Sequence, residues 1–242
     1  MQDRRFMSSS QAQAVNIDAG LRSYMLGVYN HMTIGMAITG FFAYLTKIMS
    51  VSEGMLTPFG TAIYASPLKW VIMLAPLGMV FWLSAKVQTM KPESARNLFY
   101  AFAAIMGISL SSLLLVFTGE SVIRVFFLTA ASFSALSIYG YTTKKNLTSI
   151  GSFLIMGLVG LILASIVNIF LASSAMQFII SVVGVLIFAG LTAYDTQRIK
   201  LMYMASDDRG TALKKSIMGA LTLYLDFINM FIMLLQLLGN RE

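Results

Sequence analysis

Cysteine is absent from the 242 residues, histidine occurs once and proline four times. Without thiols there is no disulfide framework and no thiolate metal centre, and one imidazole cannot build a histidine-rich one. Zinc-finger, iron–sulfur and secreted disulfide scaffolds are therefore excluded. Charge is scarce too: Asp, Glu, Lys and Arg make up 11% of the chain, against roughly 25% in a soluble domain. That is too little to dress a water-soluble globule of this size. What the chain has in excess is apolar, 57% of its residues.

The apolar residues are gathered into seven runs, approximately Leu26–Met49, Leu68–Gln88, Leu98–Phe117, Val122–Tyr141, Ile150–Leu171, Ala175–Tyr194 and Leu213–Leu238. About 20 residues at 1.5 Å each cross the hydrocarbon core. A bilayer interior admits only helices or closed barrels, and these runs are continuous rather than alternating. The expectation is an all-α polytopic membrane protein with seven transmembrane helices. Connections are short and carry the breakers, such as Ser52-Glu53-Gly54, Lys91-Pro92-Glu93 and Asp207-Asp208-Arg209-Gly210. Residues 1–24 read as a polar cytoplasmic tail and 25–242 as one transmembrane domain, with no removable signal peptide.

The net charge of +7 matters through its placement. The N-terminal segment and every second loop collect 13 of the 17 basic residues, from Arg4, Arg5 and Arg22 to Lys214 and Lys215; the other face holds Lys47, Lys69, Arg124 and Arg241. By the positive-inside rule this predicts a cytoplasmic N-terminus and, with seven spans, an external C-terminus. The positive charge is thus a topology signal, and no nucleic-acid partner is expected.

Small residues within the runs, Gly107, Gly151, Gly157, Gly160, Gly184 and Gly190, read as close helix packing. Gly107-Ile108-Ser109 does not complete an intramembrane serine-protease motif, because Leu110 stands where glycine is needed. Three ionisable residues lie within the runs: His31, Asp195 and Asp226. His31 belongs to the class that titrates in the physiological range; its plain reading is a neutral imidazole bonded to a neighbouring helix or lying at the interface. The aspartates are related by position, since their midpoint falls between Gly210 and Thr211, at the polar turn. An antiparallel hairpin about that turn puts both carboxyls at one height, each roughly 20 Å along its helix. Two carboxyls in contact in a dry site cannot both ionise cheaply, so they share a proton and titrate as a unit. One proton joins the helices through a hydrogen bond; full ionisation repels them or admits a cation. Arg198, one turn from Asp195, offsets part of the charge, and Asn229 is a candidate neutral partner.

At these residues the sequence resembles the Bax inhibitor-1 family, also called the transmembrane Bax-inhibitor-motif or YccA-like family, and looks most like its bacterial branch. The resemblance rests on Gly219 to Phe231 with Leu234 to Gly239, and on Gly140-Tyr141-Thr142-Thr143-Lys144, Phe153 to Gly157, Asn168-Ile169-Phe170 and Ala193 to Gln197. It implies a seven-helix fold with the last helix central, in the bacterial inner membrane, and a pH-sensitive calcium leak controlled by two aspartates, which map onto Asp195 and Asp226. In some members an arginine near the cytoplasmic end of the second helix helps latch the pair; this sequence departs from that pattern with Phe81-Trp82-Leu83-Ser84-Ala85-Lys86, so either Lys86 substitutes imperfectly or the latch is weaker.

The expected function is passive cation permeation, with calcium implied by the resemblance. Calcium takes about six to eight oxygen ligands, so Asp195 and Asp226 make at most a weak, transient site, as suits a conductor. No cofactor is expected, and the partners are the bilayer, calcium ions and protons. The alternative is a non-conducting protein that regulates a membrane protease or a stress or cell-death pathway. An enzyme is not expected. An intramembrane aspartyl protease would also use two aspartates, but its Gly-x-Gly and Pro-Ala-Leu elements are missing around Asp226 and elsewhere.

Overall fold

The computed structural model describes the backbone of residues 9–241 and the side chains of residues 19–241. Within them seven helices are long and apolar enough to cross a membrane. They are α1 (Ser9–Ser50), α2 (Leu68–Lys86), α3 (Pro92–Leu110), α4 (Gly119–Thr142), α5 (Thr148–Leu171), α6 (Ser174–Leu201) and α7 (Arg209–Leu238). Their starts follow capping chemistry. Pro92 occupies the first turn of α3, where its missing N–H costs nothing. The side chains of Thr118, Ser173 and Asp208 accept from Ser121, Met176 and Thr211 backbone N–H groups at the starts of α4, α6 and α7.

Three boundaries differ from the sequence expectation. The tail drawn over 1–24 is helical from Ser9 onward: Gln11, Ala12, Gln13 and Ala14 are polar or small but good helix formers, no proline interrupts them, and the single Gly20 does not end the helix. Residues 1–8, with Arg4 and Arg5, lie outside the described residues. The third run breaks after Leu110, where Ser111 and Ser112 turn their hydroxyls back to the carbonyls of Ile108 and Ser109 and backbone bonding tightens to i→i−3; a short turn, Leu113–Val116, follows. The Ser52-Glu53-Gly54 connection is a hairpin of β1 (Val51–Ser52) and β2 (Met55–Leu56). Its two central residues are both left-handed, Glu53 at φ 52° and Gly54 at φ 77°, the pattern of a type I′ turn.

Helix α7 is the axis. It packs against α1, α3, α4 and α6, while α2 lies mainly on α3, and α5 on α6. Half of its most apolar window is buried, against 11% for α2 and for α5. The last helix is thus central, with two of the other six in an outer layer. Tyr224 ties the axis to its sheath: its ring stands edge-on to Phe99 and Phe102 and its hydroxyl bonds Thr39 Oγ1 at 2.6 Å. Thr39 in turn lies within reach of the carbonyls of Ala103 and Gly35, so Tyr224 is the donor in its pair.

Two crossings are close enough to need glycine. A Cβ at Gly107 would strike the backbone of Thr39 on α1, and one at Gly140 the carbonyl of Ala193 on α6. Gly151 and Gly190 meet side chains, Tyr194 and Leu154, and nothing lies within 4 Å of a Cβ at Gly160. On the face opposite the basic one, the C-terminal end is fastened to the α3–α4 connection: Thr118 N–H donates to the Asn240 carbonyl, and Asn240 N–H to Ser121 Oγ.

The basic turn between α6 and α7 is held by Lys215, which pairs with Asp207 at 2.6 Å and donates to the Met202 carbonyl. The Thr211 backbone N–H and hydroxyl hold the Asp208 carboxyl below the usual carboxylate range.

Replacing Gly107 or Gly140 by alanine should each lower stability by about 1–3 kcal/mol, the usual cost of overpacking, while Gly160→Ala leaves it unchanged or raised; thermal unfolding in detergent reads the contrast. Because the folded value of Asp208 is depressed, its capping contribution is complete above the unfolded aspartate value of about 3.9 and is lost as pH falls through the lower folded one. Asp208→Ala should therefore lower the thermal midpoint at neutral pH, with the difference from the parent chain closing under strong acid.

Candidate functional site

The hairpin turn brings α6 and α7 into the most extensive helix contact of the bundle, and Asp195 and Asp226 meet across it. They are 8% and 5% exposed and within hydrogen-bonding reach of each other. Residues within a turn on either side are buried as well: Leu191, Thr192 and Ile199 on α6, Leu223, Tyr224 and Met230 on α7. One carboxyl oxygen, Asp226 Oδ2, is buried with no hydrogen-bond partner. Two ionised carboxylates are both acceptors and cannot satisfy one another. A single proton between them supplies the missing donor, and an unsatisfied buried acceptor is what makes that proton valuable.

Hydroxyls from three helices converge beside the pair. Thr196, the residue after Asp195, donates its proton to the Thr192 carbonyl at 2.7 Å. Its contact with Ser137 Oγ at 3.0 Å must then use Ser137 as donor, and the 2.5 Å contact between Ser137 and Tyr29 must use Tyr29. The chain Tyr29→Ser137→Thr196→Thr192 runs from α1 through α4 to α6, and every hydroxyl proton in it is spent.

The other residues singled out by the sequence fall elsewhere. His31 Nδ1 lies 2.7 Å from the Tyr100 hydroxyl, the bond to a neighbouring helix expected of it. Asn229 Nδ2 donates to the Leu225 carbonyl of its own helix and is not a donor to the aspartates. Arg198 is exposed and acts on Asp195 through space without an ion pair; Lys215–Asp207 is the one ion pair among the described residues. Lys86 is exposed at the end of α2, a helix that packs on α3 rather than on the hairpin, so it does not latch the carboxyls. The link between the end of α2 and α7 is made by Lys214, which donates to the Gln88 carbonyl at 2.9 Å. No group of three or more potential His, Asp or Glu metal ligands occurs among the described residues.

Sequence reasoning missed a carboxamide cluster nearer the opposite face. Gln236 Oε1 on α7 accepts from Gln177 Nε2 at 2.6 Å and from Ser181 Oγ at 2.9 Å, both on α6; Asn168 of α5 donates to Gln177 Oε1 at 3.3 Å. The signal for it was present, since the register that pairs Asp195 with Asp226 puts Gln236 within about one turn of the level of Ser181.

Comparison with known proteins bears on the whole arrangement. The family model described as "Inhibitor of apoptosis-promoting Bax1" matches residues 21–242. A protein of Caulobacter vibrioides carrying the name "Uncharacterized protein" is 46% identical over 232 residues, covering 94% of this chain and 93% of its own. "Inner membrane protein YbhL" of Escherichia coli K12 is 43% identical over 227 residues, 93% of this chain and 94% of its own. A Streptococcus pyogenes "Uncharacterized membrane protein" is 32% identical over 233 residues, 93% of this chain and 96% of its own. With the seven-helix architecture and a match running from α1 to the C-terminus, this chain belongs to the Bax inhibitor family.

Proposed function

We propose that the protein is a multi-pass protein of the bacterial inner membrane that lets cations, calcium among them, leak across it under control of the Asp195–Asp226 pair. The observation that carries this reading is the unpartnered, buried Asp226 Oδ2 within reach of Asp195. An ionisable residue at membrane depth is costly and marks a proton or ion pathway by default. With one proton on the pair, a hydrogen bond joins α6 to α7 and the site stays closed. With none, two like charges face each other in a low-dielectric contact, and either the helices part or a cation enters between them.

The donor set matches a conductor better than a store. Two carboxylates fall well short of the six to eight oxygens that calcium takes, so an ion is held loosely and released. We assign no catalytic step and no resident cofactor to the site. The basic face belongs to the cytoplasm in this reading, and the inner-membrane placement is supported by the printed name of YbhL.

The test is calcium influx into liposomes holding the purified full chain, followed with an internal dye from about pH 5 to 8, where a coupled carboxyl pair titrates. Flux should vary with pH. Asp195→Asn and Asp226→Asn each replace the shared proton with a permanent amide donor, so both variants should hold, at every pH, the flux that the parent chain shows at the acid end. A pH response that survives in both variants contradicts the proposal. No flux above empty liposomes at any pH overturns conduction altogether and favours a regulatory protein acting on a membrane protease or stress pathway.

A further inference from the structure

Helices α1 and α4 both pack on α7 but make no extended contact with each other. Between them lies a crevice open to the bilayer. Its larger part is a cavity of 690 Å³ running from Arg22 and Tyr141 at the basic face to Met36 and Phe126. A second part, of 310 Å³, shares Met36, Phe126 and Phe227 with the first and continues to Lys47. Together they form one groove along the membrane normal, walled by α1 and α4, with Leu110, Leu113 and Leu114 joining the wall of the second part, and floored by α7 from Phe227 to Leu235. Each part has the size of a small-molecule site, about 300–1,000 Å³.

We propose that this groove is a binding site for one anionic phospholipid, with an acyl chain along the floor and the phosphate at Arg22. Three features favour that occupant. The walls between the two ends are mostly apolar, with Tyr29, Thr33, Ser134 and Ser137 the polar exceptions in the larger part, and α1 contributes Met25, Met32 and Met36, whose flexible thioethers fit irregular chains. Among the described residues no acidic side chain lines the larger cavity, while Arg22 sits at its basic end. Tyr141, which lines the same cavity, carries Lys200 over its ring at 4.9 Å and accepts from its ammonium at the backbone carbonyl. A basic pocket between helices at the headgroup level is the setting for a lipid phosphate. Finally, the groove is too narrow for a protein helix. Tyr29 reaches from α1 to Ser137 on α4 at 2.5 Å, whereas a packed helix needs its neighbours' axes about 8–10 Å from its own.

The site stands whether or not the protein conducts. It adjoins the carboxyl pair all the same, because Phe227 follows Asp226, and Ser137, which lines the groove, belongs to the hydroxyl chain that reaches Thr196.

Native mass spectrometry of the full chain, titrated in detergent with phosphatidylglycerol or phosphatidylethanolamine, tests the assignment. One phosphatidylglycerol should be retained about fivefold more than phosphatidylethanolamine, the worth of one basic side chain at a lipid headgroup. Arg22→Gln should bring the two lipids level. Ser134→Trp and, from the facing wall, Thr33→Trp fill the groove from exposed positions and should abolish retention of both lipids; circular dichroism and gel filtration show that each variant is folded. Equal retention of the two lipids by the parent chain, or undiminished retention in whichever tryptophan variant folds, overturns the proposal. So does a dimer that dissociates in the tryptophan variants, which would make the groove an interface between two copies of this chain.

Discussion

The cost of holding a carboxyl group away from water governs the α6–α7 contact. Asp226 is 5% exposed and Asp195 8%, and no ion pair neutralises either among the described residues. A lone buried carboxylate would be several kcal/mol unfavourable. Sharing a proton lowers that cost for two of them in contact, and sharing requires the two helices to stay in register. The hairpin turn sets the register, through Lys215 gripping Asp207 and the Met202 carbonyl and Asp208 capping α7. The carboxyl pair and the turn are therefore two ends of one mechanical unit.

The sheath holds that unit by means suited to a membrane. No hydrophobic force acts between helices in lipid, so close approach and hydroxyl bonds carry the packing. Gly140 lets α4 lie against the Ala193 carbonyl, two residues before Asp195, and Gly107 does the same for α3 on α1. Tyr224, two residues before Asp226, is bonded to Thr39, and Thr196, beside Asp195, to Ser137. Each aspartate is thus flanked by a residue that ties its helix to the sheath. In the proposed reading, these ties would carry a change in the charge of the pair to α1 and α4 as well as to the hairpin.

Much of this was legible in the sequence, for identifiable reasons. Seven continuous apolar runs with breakers between them have few alternative readings, and the two aspartates lie equally far from the Gly210 turn. What escaped depended on which helices become neighbours. Tyr224 and Thr39 are 185 residues apart, and nothing local pairs them. The break after Leu110 needs Ser111 to turn back on its own helix, which composition does not announce. The polar start of α1 hid because hydropathy marks membrane spans and not helices. Lys86 stands nearest the position where some members of the family have a latching arginine, and its place is decided by α2 packing on α3. The groove between α1 and α4 is legible only once both are seen to pack on α7 while meeting each other at little more than the Tyr29–Ser137 bond.

The central claim is that the proton on the carboxyl pair sets the separation of α6 and α7. The absence of cysteine allows spin labels to be placed at will. Phe178 on α6 and Leu238 on α7 are exposed and lie at the end of the hairpin away from the turn, so Phe178→Cys and Leu238→Cys provide the labelling sites. The distance between these labels, measured by double electron–electron resonance in lipid across about pH 5 to 8, should shift with pH in the parent background and stay fixed when Asp226→Asn is added. A distance that stays constant over that range in the parent background would contradict the account.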